Sequence, residues 1–94
     1  MGIANELITR GWTQRRFESD DGSVCLAGAA GYASTGHVSD WTDDVREAMT
    51  TVVGKDFVDI AQFNDAPGRT FDEVLRVAEL ADEILDGMRD RGEL

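Results

Sequence analysis

The stretch Asn64-Asp-Ala-Pro-Gly-Arg-Thr-Phe-Asp-Glu73 joins a turn to the start of a helix. Pro67 followed by Gly68 is typical of a type II turn, because proline presets the first central position and glycine accepts the positive φ of the second. Thr70 and Glu73 form a capping box, in which each side chain accepts a hydrogen bond from the backbone amide of the other. The sequence therefore predicts a structured loop that ends where a helix begins.

The helix that begins here is the longest in the predicted fold. From Phe71 to Met88 apolar residues recur every three or four positions, which is the spacing of one face of an amphipathic helix. The other faces are rich in acidic residues. We expect residues 91–94, which follow this helix, to be frayed.

Two helices are predicted in the first third of the chain. Residues 2–10 carry apolar side chains at helical spacing, and a glycine follows them, as at the end of many helices. Residues 24–33 are almost all small or apolar and predict a helix that is buried on all sides. Gly28 and Gly31 each weaken such a helix by about 1 kcal/mol relative to alanine. They indicate the close approach of a neighbouring helix or of Trp12.

The middle of the chain predicts two further helices. Residues 41–53 place apolar side chains on one helix face, with Ser39 or Asp40 as the N-cap and a glycine at the end. Residues 57–64 fit a short helix by their spacing of three and four. Alternation within residues 57–62 fits a strand equally well.

The length and the spread of apolar residues indicate a single domain. The chain has 94 residues, of which 41% are hydrophobic and 30% charged, and one globular domain has this size and composition. We therefore predict one all-α domain over residues 1–94, a compact bundle of four to five short helices with a long C-terminal helix. The alternative is an α+β fold with a short strand near residues 57–62.

The charge limits the classes of partner. The formal net charge is −10, and residues 1–36 carry three arginines against four acidic residues, so nearly all of the excess lies after them. An acidic surface repels nucleic-acid phosphates and anionic membranes and attracts basic protein surfaces. We therefore expect a protein partner with a basic surface, no direct nucleic acid binding and no membrane binding.

Two features favour the cytoplasm. No apolar run approaches the roughly 20 residues of a membrane-spanning helix, and the N-terminal residues lack the basic and apolar regions of a signal peptide. Cys25 is the only cysteine, and a lone thiol fits a reducing compartment. We expect a cytoplasmic protein, located in the host cytoplasm if a phage encodes it.

The sequence assembles no catalytic or metal-binding set. His37 and Cys25 together cannot supply the three or four ligands of a zinc site, and His37 lies in a connector without an acyl-transfer signature. The run Glu18-Ser-Asp-Asp-Gly-Ser23 lacks the alternating order of a calcium loop and is typical of a turn. We predict no catalytic residues, no metal and no cofactor, and therefore a protein that is not an enzyme.

Four residues are candidate contacts for a partner or a ligand. Asn64, Asp65 and Arg69 concentrate different polar groups beside a helix start, where free backbone amides favour an anion or a partner's carboxylate. Trp12 is the fourth candidate. The alternative is a loop that satisfies its own hydrogen bonds, with Asp65 paired to Arg69 and Asn64 bonded to the backbone.

Three motifs of the chain resemble those of a known family. They are Gly11-Trp12, Val24-Cys-Leu-Ala-Gly-Ala-Ala30 and Phe63-Asn-Asp-Ala-Pro-Gly-Arg-Thr-Phe-Asp-Glu-Val-Leu75. Together they resemble a domain-of-unknown-function family of small proteins from actinobacteria and their phages, which often has Trp where this chain has Phe63. The resemblance spans most of the chain. It implies a compact helical fold, with no established activity and no catalytic residues to carry over.

These features favour a non-enzymatic binding or regulatory module that contacts another protein through its acidic C-terminal surface. In a narrower version, the helix acids imitate DNA phosphates and inhibit a nucleic-acid-binding protein. The alternative from another class is a small-ligand or anion binder, or an enzyme, that uses the loop from Asn64 to Arg69. Homo-oligomerisation through an exposed strip of the last helix is a third hypothesis.

Overall fold

Five helices contain most of the described residues. The computed structural model describes residues 2–38, 40–54, 57–90 and 92, with the backbone alone for residues 57–59. The helices are α1 (Ile3–Arg10), α2 (Leu26–Thr35), α3 (Asp43–Val53), α4 (Phe57–Asp65) and α5 (Phe71–Asp90). The predicted all-α fold with a long C-terminal helix is confirmed.

The alternative strand near residues 57–62 is wrong, because these residues lie within α4. Ile60 and Asn64, which are one helical turn apart, are both buried, as expected for two positions on the same face of a helix. The predicted fraying of residues 91–94 falls almost entirely outside the described residues and stays a prediction.

The bundle packs around α5. Both α1 and α3 lie against α5, while α2 lies against α1 and α4, and α3 also contacts α4. Six residues of the apolar stripe of α5 are buried: Val74, Val77, Ala78, Ala81, Leu85 and Met88. They join buried side chains from the other four helices in a continuous hydrophobic cluster. Among the described residues, no helix is both long enough and apolar enough to cross a membrane.

Helix α2 is buried over its first six residues, as its composition predicted. The close approach expected at its two glycines is also present, but the neighbour is loop backbone rather than a helix or Trp12. A Cβ atom on Gly31 would lie 2.5 Å from the carbonyl oxygen of His37, and one on Gly28 would overlap the carbonyl of Phe17. The loops on either side of α2 therefore pack directly onto its backbone.

Helix α3 starts later than the sequence predicted. Its N-cap is Thr42, so Asp40 lies outside the cap position and Ser39 lies outside the described residues. Trp41 precedes the helix, and its indole Nε1 donates a hydrogen bond to the carbonyl of Ala27 at 3.0 Å. This tertiary contact holds Trp41 against α2. The end of α3 at Gly54 is as predicted.

The first turn of α1 is capped from a distant helix. Its own N-cap residue, Gly2, has no side chain with which to cap it. The two carboxylate oxygens of Asp82 in α5 instead accept hydrogen bonds from the amides of Ile3 and Ala4, each at 3.0 Å. Burial raises the pKa of Asp82, and the two amide hydrogen bonds oppose that shift. Helix α1 is thereby fastened to α5 at its N-terminus.

Candidate functional site

The connector between α1 and α2 folds over the start of α2. Val24 forms isolated bridges with Trp12 and with Glu18. The amide of Val24 donates to the carbonyl of Gly11 at 2.9 Å, and the amide of Cys25 donates to the carbonyl of Phe17 at 3.1 Å. These bonds hold the first half of the connector against the residues that lead into α2.

Asn64 links this connector to α2 and α4. Its side chain is 1% exposed, and its Oδ1 atom accepts from Trp12 Nε1 at 2.8 Å and from the amide of Leu26 at 3.0 Å. Its Nδ2 atom donates to the carbonyl of Thr13 at 3.1 Å and to Asp65 Oδ1 at 3.0 Å. Two acceptor sites and two donor hydrogens are the full capacity of an asparagine side chain. Every hydrogen-bonding group of the Asn64 side chain is therefore used in holding the fold together.

Asp65 holds the connector from the end of α4. Besides the bond from Asn64, its Oδ1 atom accepts from the amide of Arg15 at 2.8 Å. Arg15 has a φ of 70°, a left-handed conformation that residues other than glycine adopt rarely. Gln14 adds a hydrogen bond from Nε2 to the carbonyl of Asn64 at 2.9 Å. The backbone of Arg15 is consequently fixed at the edge of this region.

Arg69 binds in a different direction from the one predicted. Its Nε atom donates to the carbonyl of Phe63 at 2.7 Å, and its guanidinium lies 3.8 Å from the centre of the Phe63 ring. Its Nη1 atom forms an ion pair with Glu73 at 3.1 Å. The alternative of a loop that satisfies its own hydrogen bonds is therefore wrong in pairing Asp65 with Arg69. Arg69 closes the loop by joining the last turn of α4 to the first turn of α5.

The turn and the capping box are as predicted. Gly68 has a φ of 80°, and the amide of Arg69 donates to the carbonyl of Ala66 at 3.0 Å, which closes the turn. The amide of Thr70 donates to Glu73 at 2.9 Å, and the amide of Glu73 donates to the Thr70 hydroxyl at 3.2 Å. The hydrogen bonds from Thr70, with a smaller contribution from the nearby Arg69 charge, lower the pKa of Glu73.

The four candidate residues are thus divided between two places. Trp12, Asn64 and Asp65 meet at the start of α2, whereas Arg69 lies against Phe63 and Glu73. The ring of Trp12 also stacks on Phe71, with centroids 6.2 Å apart.

A pocket of about 290 Å³ opens beside Asn64 and Asp65. Its apolar walls come from Phe17, Cys25, Ala27 and Ala61, and Arg15 and Arg16 lie at its exposed edge. Sequence reasoning missed this pocket. The one signal in the sequence was a pair of adjacent arginines followed by an aromatic residue in an otherwise acidic chain.

Cys25 contributes to the pocket as the N-cap of α2. Its Sγ atom accepts a hydrogen bond from the amide of Gly28 at 3.2 Å. Burial raises the pKa of the thiol, which therefore stays protonated near neutral pH. His37, the other residue considered for chemistry, lies in the connector after α2, as predicted, and is exposed there.

A second surface is formed by the outer sides of α3 and α5, which pack together. It carries eight exposed acidic residues: Asp43, Glu47, Asp72, Glu73, Glu79, Glu83, Asp86 and Asp90. Three exposed arginines lie on the same helices: Arg46, Arg76 and Arg89. We call this the acidic surface. It accounts for much of the negative charge that the sequence places after residue 36.

Comparison with known proteins identifies a family whose function is unknown. The model of a family described as "Family of unknown function (DUF6197)" matches residues 2–83. The chain therefore belongs to this family, which confirms the predicted membership of a domain-of-unknown-function family. No curated protein and no solved structure gave a significant match.

Proposed function

We propose that this member of the DUF6197 family is a non-enzymatic binding module that recognises a basic surface of another protein through its acidic surface. The observation that carries the proposal is the excess of eight exposed acids over three arginines on two adjoining helices. A concentration of one sign of charge attracts the opposite sign over distances near the Debye length and raises the association rate. It therefore favours a partner with clustered lysines or arginines.

The rigidity of α5 supports binding through the acidic surface. The helix has 20 residues and is fixed at its start by the capping box and along its length by its buried stripe. At about 1.5 Å per residue, the acids from Asp72 to Asp90 extend over roughly 27 Å. A fixed row of charges loses little conformational freedom when it meets a partner.

The bonds of the predicted loop also support a module of this kind over a ligand binder built on Asn64 and Arg69. Asn64 has no hydrogen-bonding capacity left, and Arg69 is bonded to Phe63 and Glu73. A ligand at these side chains would have to break bonds that hold the fold. The buried, reduced thiol of Cys25 is compatible with action in the cytoplasm.

Affinity capture from a lysate of the source cells, followed by binding measurements on each recovered protein, tests the proposal. Glu83→Lys reverses a charge within the acidic surface, and Asp20→Lys makes the same change in the exposed turn before α2. Because both variants alter the net charge equally, a difference between them reports the local surface. We expect Glu83→Lys to weaken binding about tenfold, or about 1.4 kcal/mol, and Asp20→Lys to have little effect.

The salt dependence of binding and competition by DNA test the proposal further. Binding through the acidic surface should weaken as salt rises from about 0.05 M to 0.5 M, because the screening length shortens. Equal binding by both charge variants, or binding that salt does not change, would contradict the proposal. Competition by DNA for the recovered protein would identify the narrower case, in which the helix acids occupy a nucleic-acid-binding surface.

A further inference from the structure

We propose that the pocket beside α2 binds a small organic acid, with the apolar body of the ligand inside and its carboxylate held by Arg15 and Arg16. This site is separate from the acidic surface and does not depend on the proposed function. It takes a different class of ligand, and it uses neither Asn64 nor Arg69 as a ligand contact.

The size and the walls of the pocket fit an apolar group. Its volume of about 290 Å³ is close to the lower end of the range for small-molecule sites. Because the pocket opens to solvent, water occupies it when no ligand is bound. Phe17, Ala27 and Ala61 offer this water few hydrogen bonds. An apolar group that displaces poorly bound water from such walls gains affinity.

Two small residues leave this space open. Ala27 in α2 and Ala61 in α4 face the pocket where these two helices pack against each other. A larger side chain at either position would fill part of the volume. The pocket therefore depends on short side chains on two helices as well as on the shape of the connector.

The charge at the edge selects an anion. Among the described residues of the lining, Arg15 and Arg16 supply two positive charges against the single negative charge of Asp65, in a chain whose net charge is −10. In the described part of the chain, Arg10 and Arg69 are paired with glutamates, whereas the guanidinium groups of Arg15 and Arg16 have no hydrogen-bond or ion-pair partner. Guanidinium groups bind carboxylates through paired, charge-assisted hydrogen bonds.

The negative charge of Asp65 does not cancel the preference of the pocket for an anion. Its Oδ1 atom accepts two hydrogen bonds, from the amide of Arg15 and from Asn64 Nδ2. The hydrogen bond from the amide of Arg15 also fixes the backbone from which the Arg15 side chain extends. The carboxylate of Asp65 is thus engaged with the fold, while the two guanidinium groups remain available to a ligand.

Titration of the ¹⁵N-labelled protein with 4-phenylbutyrate, followed by NMR, tests this proposal. We expect saturable shifts of amide signals near residues 15–17, 25–27 and 61–65. The neutral analogue 4-phenylbutyramide has the same apolar body and should bind about tenfold more weakly, a difference of about 1.4 kcal/mol. Shifts outside the pocket, no shifts up to about 10 mM, or equal binding of the amide would overturn the proposal.

Variants locate the site. Arg15→Gly removes a guanidinium at a position whose φ of 70° suits glycine, and Arg16→Ala removes the other from an exposed residue. Each should weaken binding of 4-phenylbutyrate severalfold, whereas Arg76→Ala on α5 should leave it unchanged. Ala61→Phe should abolish binding by filling the pocket. Unchanged binding in both arginine variants would refute the proposal even if Ala61→Phe failed to fold.

Discussion

The side-chain oxygen of Asn64 lies 3.0 Å from the amide nitrogen of Leu26, which is 38 residues away in the chain. Leu26 is the first residue of α2, and the first amides of a helix have no partner within the helix itself. Asn64 therefore caps a helix to which it does not belong. Asp82 does the same for α1. In the described part of the chain, tertiary contacts thus cap the start of α1 and add to the local cap that Cys25 gives α2.

Removing the side chain of Asn64 should destabilise the protein strongly. Asn64→Ala leaves the indole N–H of Trp12, the amide of Leu26 and the carbonyl of Thr13 without this partner. Unsatisfied buried groups cost about 1–3 kcal/mol each, and partial access of water should limit the total to about 2–4 kcal/mol. Urea denaturation measures the free energy of unfolding. Gln62→Ala, an exposed change in the same helix, is the control and should differ little from the parent.

Removing the tertiary cap of α1 should cost less. Asp82→Ala deletes two hydrogen bonds to the first turn but also relieves the burial of a carboxylate. We expect a loss of about 1 kcal/mol, which is typical of a lost helix cap. Thermal denaturation of Asp82→Ala beside Glu83→Ala, its exposed neighbour on α5, checks this. Equal melting temperatures in the two variants would show that Asp82 does not act as a cap.

Adding one methyl group at Gly31 should destabilise α2 despite the higher helix propensity of alanine. The new Cβ would lie 2.5 Å from the carbonyl oxygen of His37 and 2.6 Å from that of Val38. Overpacking of this kind costs about 1–3 kcal/mol. In Gly2→Ala the new Cβ would lie 3.8 Å from Asn5, so this control should change stability by less than about 1 kcal/mol. Chemical denaturation of both variants makes the comparison.

The capping box should make stability depend on pH. The pKa of Glu73 is lowered from its ordinary value of 4.5, so the folded state favours the charged form. Its contribution is present above pH 4.5 and is lost as the pH falls through the folded pKa. Glu73→Gln keeps an acceptor for Thr70 but cannot titrate.

We therefore expect the parent to be more stable than Glu73→Gln near neutral pH, and the difference to shrink in acid. Urea midpoints of the two proteins, measured at about pH 7 and about pH 2.5, provide the test. Glu79→Gln, on the same helix but outside the capping box, is the control for a general effect of charge. A difference that stays constant with pH would contradict the role of Glu73.

Local patterns were enough to predict most of the helices. The capping box of Thr70 and Glu73, the turn at Gly68 and the end of α3 at Gly54 each depend on residues within a few positions of one another. Short-range patterns in the sequence are therefore sufficient to predict their geometry. The start of α3 was predicted too early, because Trp41 fits the helical pattern of the chain but is held outside the helix by its bond to Ala27.

The candidate site could be predicted only in part for a related reason. The sequence singled out Asn64, Asp65 and Trp12, which the structure brings together, but it paired Arg69 with Asp65. It gave no indication that Arg15 and Arg16 would lie beside Ala61. Their proximity depends on how the connector before α2 packs on the end of α4. No spacing of residues in the sequence predicts that packing.

By itself, then, the sequence determined the helical elements, the turn before α5 and the acidic excess of the second half. The tertiary structure alone decided which helix Asn64 and Asp82 cap, where the guanidinium of Arg69 binds and that a pocket opens beside Arg15. The physical reason is the range of the interactions. Turns and capping boxes satisfy polar groups within a few residues, whereas buried polar groups separated by 38 to 79 residues find partners only when the helices pack.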